Sequence, residues 1–139
     1  LKKKATQIVD QMMEKDHFSQ WLGVERMEEK DGYCRLKMKI RKEMCNGFGI
    51  AHGGISYSLA DSALAFASNS HGKHAVSIET SISHIKPLKK GDTIIATAEE
   101  ESCSSRIGNY LVRVENENQE LVALFKGVVF RKDTHWDTE

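Results

Sequence analysis

An α+β fold, with one long buried helix wrapped by a curved antiparallel sheet of about five to six strands, is predicted by three features of this 139-residue chain. Between Gly53 and Ser70 the only charged residue is Asp61, although charged residues make up 29% of the composition. Solvent is therefore kept from most of that segment. Cys34, Leu36, Met38 and Ile40 alternate strictly with Arg35, Lys37, Lys39 and Arg41, the period of a strand with one wet face. Four further strand-like runs follow the apolar segment, separated by turn-forming residues.

In chain order, Lys2 to Lys15 reads as an amphipathic helix, because Ala5, Ile8, Val9, Met12 and Met13 recur at helical spacing. Phe18, Trp21 and Leu22 are expected to anchor the chain before Gly23. Strands follow over Val24 to Met27 and Tyr33 to Ile40, joined by the turn Lys30-Asp31-Gly32. The central helix is placed from Gly54 to Ser70, rich in Ala and Leu, starting at a Gly pair and ending near Asn69 and Gly72. Ile55, Leu59, Ala63 and Phe66 share one of its faces. The opposite face carries Tyr57, Ser58, Asp61, Leu64 or Ala65, and Ser68, small side chains and one carboxylate where a solvent face would carry Lys and Glu. Burial all round is expected. The remaining strands are Ala75 to Lys86, Thr93 to Ser102, Asn109 to Glu115 and Leu121 to Arg131, with turns at Lys90-Gly91-Asp92 and Asn116 to Gln119.

With 40% hydrophobic residues and no linker or repeat, residues 1–139 read as a single domain. Twenty basic and twenty acidic side chains cancel, so bulk charge makes no case for nucleic acid or a membrane surface as partner. Cys34, Cys45 and Cys103 are odd in number and lack metal-type spacing. They read as reduced thiols in a cytoplasmic protein. No signal peptide or membrane span is visible, and the start at Leu1 leaves room for missing N-terminal residues. His71 and His74 have a chelating spacing but straddle Gly72 without an evident third ligand, and Cys45 has no neighbour that would activate it. Neither a metal nor another cofactor is expected.

Asn46, His52-Gly53-Gly54, Leu59-Ala60-Asp61 and Asn69-Ser70, followed by Gly91-Asp92 and Arg106-Ile107-Gly108-Asn109-Tyr110, resemble the hotdog-fold acyl-CoA thioesterases of the phenylacetic-acid-degradation (PaaI) type. The likeness covers roughly Gly23 to Arg131 and rests on motif order, since HGG alone is a weak signal. It implies hydrolysis of an aromatic or medium-chain acyl-CoA, coenzyme A being part of the substrate. It also implies a homodimer with shared active sites, paired into a homotetramer.

The residues supply a chemistry for that reaction. Thioester hydrolysis needs a nucleophile or a base for water, and donors for the oxygen that becomes negative. Asp61 supplies the carboxylate, made more basic by its apolar surroundings. Gly53 and Gly54 start a helix, where backbone N–H groups lack intrahelical acceptors and the dipole favours negative charge. If the helix is regular, Gly53 and Asp61 lie roughly 12 Å apart along the axis, too far to meet one thioester carbon. The resemblance implies that the glycine of one subunit works with the aspartate of its partner.

Other assignments come from the likeness. Asn46 is a turn residue or a group orienting the carbonyl or water, and His52 either a local helix-start acceptor or a substrate contact. Ser77 matches a hydroxyl near the attacking water. Ser104, Ser105 and Arg106 in one loop, with Lys89 and Lys90 in another, match positions that hold the phosphates or pantetheine arm. Tyr57, Leu64, Phe48 and Ile50 are candidate acyl-pocket residues. Two alternatives stand beside hydrolysis: a hydratase or dehydratase using His52 with Asp61, and an acyl-CoA sensor. For the sensor, Leu1 to Trp21 is too short for a helix-turn-helix and linker.

Overall fold

Period-two alternation and apolar helical spacing become an open six-stranded sheet and one long helix in the computed structural model, which describes residues 1–139. The order is α1 (Lys4–Lys15), α2 (His17–Leu22), β1 (Glu25–Lys30), β2 (Tyr33–Lys39), a 3-10 turn (Lys42–Met44), α3 (Gly53–Asn69), β3 (Lys73–His84), β4 (Thr93–Cys103), β5 (Ile107–Asn116) and β6 (Leu121–His135). Spatially the strands run β1-β2-β4-β5-β6-β3, every neighbouring pair antiparallel. This is the hotdog arrangement expected. Register shifts between Arg26 and Glu28, Ser77 and Glu79, and Glu100 and Ser102 mark bulges, which bend strands and increase their twist.

The alternating side of β2 does what its pattern requires: Cys34, Leu36, Met38 and the following Ile40 are all buried. They meet the inward residues of β4 and β5 (Ile94, Ala96, Ala98, Val112 and Val114) and the buried face of α3 in one core. Helix and sheet approach closely at Gly127, where an added Cβ would stand 2.5 Å from Leu64 Cδ2. Glycine there is a matter of space.

Two expectations change. The central helix is not buried all round, because Gly53 and Gly54 are exposed and Tyr57, Ser58, Asp61 and Ala65 form a half-open stripe. Phe18 and Trp21 do not anchor the chain: they are largely exposed, stacked on each other with centroids 6.0 Å apart, and Arg41 lies over Trp21. The short helix α2, which spacing did not reveal, turns only Ser19 and Leu22 inward. Asp16 caps it by accepting the Ser19 N–H at 2.9 Å.

No helix is long and apolar enough to cross a membrane. All three cysteines are free.

Candidate active site

The start of α3 is held open by its flanks. Asn46 Oδ1 accepts from the backbone N–H groups of Phe48 (3.0 Å) and Ile50 (3.4 Å), a side chain closing its own turn. With its oxygen so placed, no acceptor in the chain takes its amide Nδ2. Ala51 donates to the Leu88 carbonyl at 2.7 Å and His52 to the Met44 carbonyl at 2.8 Å, fixing the approach to the helix. His52 then acts as the N-cap: its Nδ1 accepts the Gly54 N–H at 3.0 Å, so this nitrogen carries no proton. His52 thus makes a local hydrogen bond at the helix start. Among the first helical amides, Gly53 N–H is left without an acceptor.

Asn46 and Gly53 border a cleft of about 280 Å³, together with Ile50, Ser56 and His84. His84 ends β3, and a Cβ on Gly53 would stand 3.2 Å from its Nε2. The imidazole thus forms a wall beside the free amide, with Nδ1 3.5 Å from Ser56 Oγ. Neither His84 nor Ser56 was singled out by sequence reasoning. Only the strand order brings the end of β3 to the start of α3, and no local spacing signals it.

Asp61 borders a different cleft, of about 400 Å³, whose walls include Leu64, Ala65, Val76, Ser77, Val129 and Trp136. Ser77 borders the same cleft as Asp61. Burial pushes the Asp61 carboxyl above its ordinary range, and the Asp16 carboxylate nearby adds to the shift. No lysine, arginine or backbone donor in the chain pairs with it, so the carboxylate is not one half of a structural ion pair. Met12, from α1, and Trp136, beyond β6, close the same cleft. Trp136 is fixed by Nε1 donating to Asn69 Oδ1 at 2.8 Å. The two clefts share no lining residue. Since α3 is one unbroken helix, the eight residues from Gly53 to Asp61 span about 12 Å.

The remaining candidates lie elsewhere. Arg106 makes an exposed bidentate pair with Asp133, at 2.6 and 2.9 Å. Ser104 Oγ accepts from the Arg106 and Ile107 amides, and the Ser105 carbonyl accepts from Lys73 Nζ. Lys89 and Lys90 are exposed beside the turn at Gly91, with the Lys89 N–H donating to Asp92. Tyr57 bonds through its hydroxyl to Thr80 and sets its ring edge-on to Phe125 at 5.1 Å, lining neither cleft. Leu64 lines the Asp61 cleft and Ile50 the Gly53 cleft, while Phe48 is 91% exposed.

Residues 48–123 match the thioesterase superfamily. Over 124 residues the chain is 36% identical to the acyl-coenzyme A thioesterase PaaI of Escherichia coli, covering 89% of each sequence. The solved structure of the E. coli PaaI protein from the phenylacetic acid degradation operon superposes with a TM-score of 0.93 at 35% identity, over 95% of this chain and 96% of that one. A mutant of the phenylacetic acid degradation protein PaaI from Thermus thermophilus gives 0.81 at 38% identity, over 84% and 100%.

Proposed function

The chain belongs to the thioesterase superfamily, and on that footing we propose that it hydrolyses an aromatic, phenylacetyl-like or medium-chain acyl-CoA to the free acid and coenzyme A, at sites shared between two copies. Thioester hydrolysis itself follows from the family and from the likeness to the E. coli acyl-CoA thioesterase. The observation that carries the shared site is the division of the chemistry. A free helix-start amide and an Asn amide border one cleft, an unpaired carboxylate and a serine hydroxyl border another, and no residue is common to both.

In the reaction, the thioester carbonyl oxygen receives the Gly53 N–H and the Asn46 amide. Their hydrogen bonds strengthen as the oxygen becomes negative, and the positive end of α3 adds to them. His52, by occupying the Gly54 N–H, positions the helix start. Asp61 of the partner subunit takes a proton from water as the water oxygen adds to the carbonyl carbon, with Ser77 orienting that water. Collapse of the tetrahedral intermediate breaks the C–S bond, and the thiolate recovers the proton. Direct attack by Asp61 uses the same geometry and passes through an acid anhydride that water then opens. No cofactor enters either route.

The apolar walls of the Asp61 cleft, Leu64, Val76, Val129 and Trp136, suit the acyl group. Arg106, Ser104, Ser105, Lys89 and Lys90 are assigned to the phosphates and pantetheine arm. An exposed pair such as Arg106 with Asp133 contributes little on its own and can exchange its carboxylate for a phosphate.

Turnover of aromatic, short, medium and long acyl-CoAs by the purified chain, repeated with Asp61→Asn, tests the reading. Aromatic or medium-chain substrates should be preferred, and the substitution should lower kcat/KM by about 10²–10⁴-fold, the usual range for loss of a general base. Undiminished kcat/KM in Asp61→Asn, or no turnover of any acyl-CoA by the wild type, would overturn it.

A further inference from the structure

At the far end of α3, three side chains from two places in the chain converge. His71 lies in the turn after the helix, Glu100 in the body of β4 and Cys103 at its last residue. Their ligand atoms all fall within 4.8 Å of one another. His71 Nε2 is 3.1 Å from Glu100 Oε2. The other carboxylate oxygen, Glu100 Oε1, is shut off from solvent and has no hydrogen-bond partner, which a buried acceptor does not tolerate without cost. The β1–β2 turn closes over the group at Gly32, where a Cβ would stand 2.5 Å from Glu100 Oε2 and 3.1 Å from His71 Nε2. A side chain at position 32 would fill the space between turn and cluster.

We propose that His71, Glu100 and Cys103 form a binding site for one divalent cation, Zn²⁺ being the best match, with a fourth position open to water. The donor set selects the metal class. An imidazole and a thiolate favour zinc-like ions over Mg²⁺ and Ca²⁺, which prefer oxygen throughout. Three protein ligands plus an open position is a common zinc arrangement. Neighbouring donors on a tetrahedral zinc stand about 3.3–3.6 Å apart, given its bond lengths. The His71–Glu100 separation is close to that, and the exposed Cys103 side chain has room to swing inward.

Binding exchanges one proton for the metal: the Cys103 thiol loses its hydrogen to solvent and its sulfur bonds the cation. Arg131, Lys73 and Tyr110 lie near enough to the cluster to interact with it electrostatically. Arg131 turns Nη1 to the Ser104 carbonyl at 2.6 Å and leaves its buried Nε unpartnered. A water joining Arg131 Nε to Glu100 Oε1 is the competing arrangement, and it involves no metal. His74, by contrast, is engaged elsewhere, with Nδ1 2.7 Å from Thr134 Oγ1 and its ring against Trp136. The His71–His74 spacing is set aside on sequence, and the grouping proposed here is one that only the β4–α3 juxtaposition creates.

Co²⁺ and Zn²⁺ titrated into the full chain, reduced and stripped of metal, decide the matter. One Co²⁺ per chain with a thiolate-to-cobalt charge-transfer band is expected, and Cys103→Ser should abolish that band. Cys103→Ser and His71→Ala should each weaken Zn²⁺ binding about tenfold or more, whereas Cys45→Ser and His74→Ala should change neither readout. Circular dichroism establishes that each variant is folded, and Glu100→Gln serves as a conservative third ligand variant if His71→Ala is not. Absence of the band, or Zn²⁺ affinity unaffected by loss of Cys103 and His71, would mean that the cluster holds only protein and water.

Discussion

At Asp61 the cost of burying a charge is tied to the use proposed for that charge. The carboxyl is half-buried, has no cationic partner and lies near the Asp16 carboxylate, so its folded-state pKa exceeds the unfolded value of about 3.9. A raised folded pKa means that the proton is bound more tightly in the native state. The favourable contribution is therefore complete below the unfolded pKa and lost as pH rises through the folded one. At neutral pH the ionised group weakens the fold, and Asp61→Asn should raise Tm there. The gain should shrink as pH falls towards the ordinary carboxylate range. Differential scanning calorimetry of both forms across that window checks it, and an Asn variant no more stable at pH 7 would show that the carboxylate is held without penalty. Under the proposed mechanism the same shift means that kcat/KM falls with acid at a higher pH than an ordinary aspartate would give. The carboxylate was legible in the sequence because Asp61 is alone among apolar and small residues. His84 was not, because a histidine at the end of a strand has no local signature, and its place beside Gly53 depends on the order of strands in space.

The helix α3 is held at a fixed height above the sheet by a residue that has no side chain. Gly127 has ordinary backbone torsions, so its role is to admit the buried Leu64. Gly127→Ala should destabilise the fold by about 1–3 kcal/mol, the range for forcing extra atoms into a filled core. Urea unfolding gives the value, and a loss well below that range would show that Leu64 can move aside. The sequence displayed α3 clearly, within one residue at each end, because its composition contrasts with the rest of the chain. It did not display α2, six residues long, since so short a helix shows less than two turns of periodicity. Nor could it reveal that one stripe of α3 stays half-open, because Ala and Ser suit a covered face and an uncovered one alike.

Across the whole molecule, six strands were legible from alternation and turns, but their order was not, since pairing between distant segments leaves no trace in any one segment. The order has a functional consequence: it puts β3 on an edge, with Val76 45% and Ile78 59% exposed. A long edge strand carrying exposed apolar side chains is a surface that pairing would cover. Beside it, Asp61 and Ser77 border one cleft and Gly53 and Asn46 another, and the proposed mechanism calls on a second copy to bring both halves to one thioester. Complementation then discriminates shared from self-contained sites. Asp61→Ala lacks the proposed base, and Gly53→Val presses a side chain against His84 beside the free amide, so under the proposed mechanism each variant alone should be inactive. Refolded together in equal amounts, half of the dimers pair the two variants, and each such dimer holds one intact site where the wild type holds two. Activity should therefore return to about one quarter of the wild-type value per chain for a two-fold symmetric pair. If each subunit carried a complete site of its own, every site in the mixture would contain a damaged residue and activity would stay at the level of the separate variants.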